Sequence, residues 1–333
     1  MRIPGFAGRR QQSDPGSVVP SSKFLLPSES GRRRERVQAT VARLRWDQLI
    51  LPVVFFFVSG RWFASYLVGP GSLGFDARLY AVAARALIEG RDPWHADLFG
   101  AHFAGPPTTL IPFLPFAYLP EEGVAAVWIA GSLVLAILVL RKLGLPSWWL
   151  SFPPLFFAIV TGSVEVLMVA LLVAGGALSG LAAVLKPYAA LPLLAERRWR
   201  ALVVAMAACA ATLLVLPWGT FVADLPYISD RLQFQSFASN AFGNIPLMLI
   251  AAAALLSMGI RRALWLATPV LWPNTQVHYA AMTLPVITPL LATCWALDFP
   301  NAMVVGVVLA AISHRLRLVD PLMVRGVREP FSE

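Results

Sequence analysis

The strongest constraint on this chain is an alternation. Apolar runs of spanning or half-spanning length are broken by one polar segment, residues 69–107, that carries four acids, three arginines and two histidines. Lipid cannot satisfy those charges, so a segment of this kind between spans sits in water at one face of a bilayer. Its first half has helical spacing. Leu79, Val82, Ala83, Ala86 and Leu87 form an apolar stripe, with Asp76, Arg78, Arg85 and Glu89 off it. The pattern predicts an amphipathic helix lying along the surface, opened by Asp76 and ended by Gly90. Only 14% of the 333 residues are charged and 58% are hydrophobic, against about a quarter charged in a soluble domain. The fold expected is an all-α polytopic membrane protein.

Charge is unevenly placed. Residues 1–45 hold ten Lys/Arg and three Asp/Glu, so +7 of the formal +9 lies there. That stretch is rich in Ser, Pro, Gly and Arg and has no apolar period. It reads as a disordered basic tail held on the cytoplasmic side. Nucleic-acid binding through the run at 32–36 is the weaker reading, and no signal peptide is expected. The cysteines, Cys209 and Cys294, both fall in apolar runs. Their spacing gives no metal site, and no cofactor is expected.

Apolar runs near 46–68, 124–140, 148–160, 201–216, 246–258, 280–297 and 302–312 read as spans. Arginines at 141, 198, 261 and 315 mark their cytoplasmic ends, which puts the 69–107 loop outside. Residues 106–119 hold four prolines and either dip into the membrane or cross it tilted. Residues 180–196 have room only for short half-helices. The total is roughly nine to eleven crossings or half-crossings. Within this frame Lys186 stands alone in apolar surroundings, which marks a functional candidate as readily as a snorkelling side chain. Glu165 follows Ser163 at a helix start, where an acid suits the helix dipole. The stretch at 272–279 gathers Asn274, Gln276 and His278, and a second polar loop at 218–244 holds Asn240. Tyr80 and Asp92 lie in the first loop. A carboxylate in a partly apolar cleft can act as a general base, and basic groups nearby can hold a phosphate. The combination predicts an enzyme working on a lipid-linked phosphate at the outer face.

These residues also form an ordered series. F-D-x-x-x-Y-x-x-A-x-x-A-L-x-x-G-x-D-P-W spans 75–94, G-S-V-E opens at Gly162, and G-L-A-A-V-L-K-P-Y spans 180–188. R-R-W-R follows at 197, S-N-x-x-G-x-x-P at 239 and W-P-N-x-x-x-H-Y at 272. Over about residues 45–315 the series resembles the polyprenol-phosphate-mannose-dependent mannosyltransferases of glycosyltransferase family 87, which have the GT-C fold. The resemblance implies transfer of mannose, or another hexose or pentose, from a polyprenyl-phosphate donor to a glycolipid or glycan acceptor outside the membrane. It implies inversion, with Asp76 as general base and Lys186, Arg78 and His278 as partners of the leaving phosphate, without a metal. The family more often has Gln and Asn where Ser163 and Glu165 stand, and a second His where Tyr279 stands. The expected layout is a basic cytoplasmic tail at 1–45, a GT-C-like catalytic domain at 46–315 and a cytoplasmic tail at 316–333, in a multi-pass cell-membrane protein. A secondary transporter, a lipid flippase or a non-catalytic membrane subunit are the competing readings. A transporter would gather its polar residues at mid-membrane and show inverted repeats, whereas here they gather at one face.

Overall fold

The computed structural model of the protein describes residues 46–68, 73–235, 241–273, 275–297 and 299–316. The basic tail, nearly all of the C-terminal tail, Asn240 and Asn274 lie outside the described residues. Within them the protein is mostly helical. The first apolar run forms α1, Trp46–Val68. Its Phe55 is fully buried and packs on Trp149 and Phe152 with ring centroids 5.5 and 5.2 Å away.

The first loop folds into α2, Phe75–Ile88. The helix begins one residue before Asp76, after Gly74 in the left-handed region (φ 66°), and Asp76 sits in its first turn without capping it. The helix is also more enclosed than its stripe implies. Ala77, Ala81, Ala83, Ala84 and Ala86 are all buried, because small side chains let neighbours close on several faces. Those neighbours are the 3-10 segment Pro107–Phe116 and α3, Glu121–Lys142. Arg85 is held by the loop between them, its Nε donating to the carbonyl of Ala117 at 2.6 Å. Asp97–Leu98 (β1) and Ala101–His102 (β2) make a minimal antiparallel hairpin with Asp97 opposite His102.

The next helices are α4, Pro153–Thr161, and α5, Glu165–Ala174, bent from each other by 116°. Gly162, at φ 71°, makes the corner. Then come α6, Leu181–Leu185, and α7, Ala190–Ala195, the short half-helices that the sequence had room for. Lys186 follows α6 in extended backbone, because the residue before a proline avoids the helical region. The rest are α8 (Trp199–Thr212), α9 (Trp218–Ala223), α10 (Leu225–Gln235), α11 (Ile245–Ser257), α12 (Ile260–Leu271), α13 (Pro289–Ala296) and α14 (Ala302–Arg315).

Two expected segments take a different form. Residues 280–297 do not make one span: a 3-10 stretch, Val277–Thr283, ends before α13, whose first turn is capped by Thr288 accepting from the Leu291 amide at 3.3 Å. Pro285 and Pro289 have no N–H to continue a helix through the gap. Pro107–Phe116 is a ten-residue 3-10 helix, about 20 Å long at a rise near 2 Å per residue and too short to cross a hydrocarbon core of about 30 Å. It is stitched to the end of α6, with the hydroxyls of Thr108 and Thr109 donating to the carbonyls of Val184 and Leu185.

Among the described residues one helix, Glu121–Lys142, is long and apolar enough to cross a membrane, and α4 with α5 form one bent pair of that kind. Shorter apolar helices run over Ile50–Ser65, Trp199–Thr212, Ile245–Ser257 and Ala302–Arg315. The larger core runs through α1 to α7 and takes in Ala201 of α8, Trp265 of α12 and Ala292 of α13. A second one joins α11 to α14 through Ala251, Leu255, Leu266, Trp295 and Val307.

Candidate active site

The start of α2 is the best-fixed part of the polar loop. The Gly74 amide donates to the Val160 carbonyl at 2.8 Å, tying α2 to the end of α4. A Cβ on Gly74 would lie 2.3 Å from that of Ala125 in α3, and one on Gly162 would lie 2.8 Å from that of Ala77. Both glycines therefore serve their positive φ and a close approach together. The result places Asp76 on the wall of a cleft of about 240 Å³.

Four sequence candidates share that cleft with Asp76: Tyr80, Lys186, Gln276 and His278. Its remaining walls are largely aromatic, from Phe75, Tyr188, Phe221, Trp272 and Tyr279, with His102 at the hairpin side. Asp76 as a residue is half-buried, but its Oδ2 is shielded and has no hydrogen-bond partner. Burial, and then the charge of Glu165, push its carboxyl up from 3.8 to about 7; Lys186 and the Thr161 hydroxyl pull it partly back. A carboxyl titrating there matches the demand on a general base near neutral pH.

Behind the wall, Glu165 is fully buried. Its Oε1 accepts from Lys186 Nζ and from the Tyr188 hydroxyl, both at 2.6 Å. Its Oε2 has no hydrogen-bond partner and lies 3.7 Å from His278 Nε2. The expected capping role of this acid is therefore not its main contact. The hydroxyl of Ser163 does accept from the Glu165 amide, at a long 3.4 Å. Lys186 Nζ also stands 4.7 Å from the ring centroid of Tyr279, a cation–π arrangement. His278 stacks on Phe157, centroids 5.6 Å apart and planes 14° apart.

The other candidates lie elsewhere. Arg78 does not line the cleft, and its Nε is buried without a hydrogen-bond partner. Asp92 caps the 3-10 turn Pro93–His95, its Oδ1 accepting from the Trp94 amide at 2.8 Å. Its Oδ2 lies 3.1 Å from His95 Nδ1, and Asp224 Oδ2 is 3.8 Å from the same nitrogen. One ligand atom from each of these three residues falls within 4.8 Å of the others. The trio links the first polar loop to the junction of α9 and α10. Shielding of the Asp224 carboxyl and the nearby Asp92 push it above its ordinary value. His95 also stacks on Tyr227, at 4.5 Å. A second cavity of about 510 Å³ lies along this edge, between Gly90–Pro93 and residues 214–217.

Sequence reasoning did not name His102, Tyr188, Phe221, Trp272 or Tyr279 as site residues. Tyr188, Trp272 and Tyr279 stand within the ordered series at 180–188 and 272–279, which was the available signal. His102 and Phe221 reach the cleft only through the folding of the hairpin and α9.

The family model of glycosyltransferase family 87 matches residues 103–317. The matched stretch contains Glu165, Lys186 and His278 and begins after α2. No curated protein and no solved structure matches the chain.

Proposed function

The chain belongs to glycosyltransferase family 87 and is a glycosyltransferase, and on that premise we propose that it moves mannose from a polyprenyl-phosphate donor to a glycolipid or glycan acceptor at the outer face of a membrane. The observation that carries this reading is the cleft itself. A carboxyl titrating near neutrality shares about 240 Å³ with a buried Lys and a buried His. In the proposed reaction Asp76 takes the proton of the acceptor hydroxyl, and the freed oxygen attacks the anomeric carbon. The bond from that carbon to the phosphate oxygen breaks with its electron pair, inverting the centre. Lys186 and His278 receive the charge that develops on the phosphate, where fixed donors in a water-poor site are worth most. Aromatic walls supply that low-water setting and a face for the sugar ring.

Placement in a GT-C-like membrane domain at 46–315, with the N-terminus cytoplasmic, belongs to the same reading. It is supported by large apolar side chains left open on helix exteriors, among them Phe56, Phe57, Val203, Met206 and Ile245. Exposure on this scale marks contact with another apolar phase. Purified protein in lipid vesicles, given a polyprenyl-phosphate mannose and membrane glycolipids, is expected to transfer the sugar. Asp76→Asn is expected to bind donor but transfer it at least about a hundredfold more slowly. If the wild type leaves every polyprenyl-phosphate sugar intact, the donor assignment is wrong; wild-type rates in Asp76→Asn would remove Asp76 from the chemistry.

A further inference from the structure

Glu165 lies outside the cleft, yet three residues that line the cleft converge on it. Lys186 and Tyr188 come from the break after α6, and His278 from the 3-10 stretch before α13. Glu165 itself opens α5, so its carboxylate is the point where three separate elements meet. The way its two oxygens are used carries the argument. A carboxylate that merely neutralised a buried lysine would gain most by spreading its donors over both oxygens, since each lone pair left buried and unbonded costs stability. Here Oε1 takes both donors at 2.6 Å, while Oε2 is fully buried, makes no hydrogen bond and is directed at His278 Nε2, 3.7 Å away. The imidazole is held from its other sides by the Phe157 stack and by the edge contact with Tyr279, centroids 5.0 Å apart. What the rings leave unfixed is the turn of the imidazole in its own plane, and a carboxylate oxygen facing Nε2 biases that.

We propose that Glu165 is a positioning residue for glycosyl transfer: from behind the wall, its one carboxylate accepts from Lys186 Nζ and the Tyr188 hydroxyl and faces His278 Nε2, and so fixes where Lys186, with two ammonium hydrogens left to donate, and the His278 ring stand relative to a phosphate leaving group. This rests on the reading that the cleft takes a lipid-linked phosphate. Glu165 never touches substrate; it acts only through these side chains. Its contribution therefore belongs to the step in which charge moves onto the phosphate, and donor affinity depends on it less.

The test compares wild type, Glu165→Gln and Glu165→Asp in lipid vesicles, with rates expressed per folded molecule. Glu165→Asp keeps the charge and the ion pair, so it folds where a lone buried lysine would not, but it is one methylene too short to serve both Lys186 and His278. Both variants are expected to lose about 10- to 100-fold in kcat with donor KM within about threefold of wild type. Either variant turning over within about twofold of wild type overturns the proposal. A role in stability alone would lower the melting temperature of Glu165→Gln and leave kcat per folded molecule unchanged. A second measurement separates this failure from that of the donor reading. Farnesyl phosphate, which already carries the charge that the donor's phosphate gains only during transfer, is expected to raise the wild-type melting temperature, and to raise that of Glu165→Gln less. Should wild type lack turnover but show that shift, the donor sugar is misassigned and the shift alone decides: an equal shift in Glu165→Gln overturns the role of Glu165. Wild type that neither turns over nor is stabilised by the phosphate overturns both.

Discussion

Asp76 gives the pH behaviour its sign. Its carboxyl is raised from 3.8 to about 7, so between those values the folded protein holds a proton that the unfolded chain has released. Stability therefore falls as pH rises from about 4 to about 7 and then levels. As the proposed base, Asp76 needs the opposite form, so kcat/KM is expected to rise with pH through about 7. Thermal midpoints and rates measured at about pH 5 and pH 8 should move in opposite directions in the wild type, and Asp76→Asn should flatten this part of the stability trend. A wild-type stability that increases across that range would contradict the burial of Asp76. Asp76 was singled out through the family resemblance, since an acid in the first turn of an amphipathic helix also has an ordinary explanation in the dipole. Lys186 stood out as a lone cation in apolar surroundings. The partnership of Glu165 was not legible: 21 residues separate it from Lys186, and an acid in a first helical turn already has a sufficient local explanation in the dipole.

Among the elements, the seating of α2 on the α4–α5 corner can be tested by a single change. Gly162→Ala adds a Cβ at φ 71° that meets the Cβ of Ala77 at 2.8 Å, one residue from Asp76. Gly90 has the same φ with nothing within 4 Å of an added Cβ. Gly90→Ala should cost about 1–2 kcal/mol of backbone strain and leave kcat alone. Gly162→Ala should cost more and also lower kcat, because α2 must move to make room. Equal activity in the two folded variants would mean that the seating of α2 does not set the position of Asp76. Helix identity was readable where an apolar run was free of proline, as in Glu121–Lys142. It failed at 280–297, where composition alone looked like a span and two prolines divide it. The enclosure of α2 was hidden for a different reason: alanine fits an exposed face and a close-packed one equally well.

For the whole molecule, the proposed orientation makes a direct prediction. In a cysteine-free background, a membrane-impermeant thiol reagent added outside should label a cysteine at position 90 and spare one at 141, the exposed cationic end of α3. The reverse pattern would invert the scheme and put the cleft on the cytoplasmic side. The bent pair bears on how such a protein tolerates its surroundings. At the 116° corner, Glu165 stands three residues beyond Gly162, and Asp76 is tied through Gly74 to Val160, two residues before it. Both carboxylates thus ride the apex of an elbow, not either of its arms. Helices adjust to a thicker or thinner bilayer by tilting, and tilting arms sweep their far ends through wide arcs while the apex hardly travels. In the proposed membrane setting the spacing of Asp76 from Glu165 is thereby insulated from hydrocarbon thickness, as the pivot of a pair of compasses is from the spread of its legs.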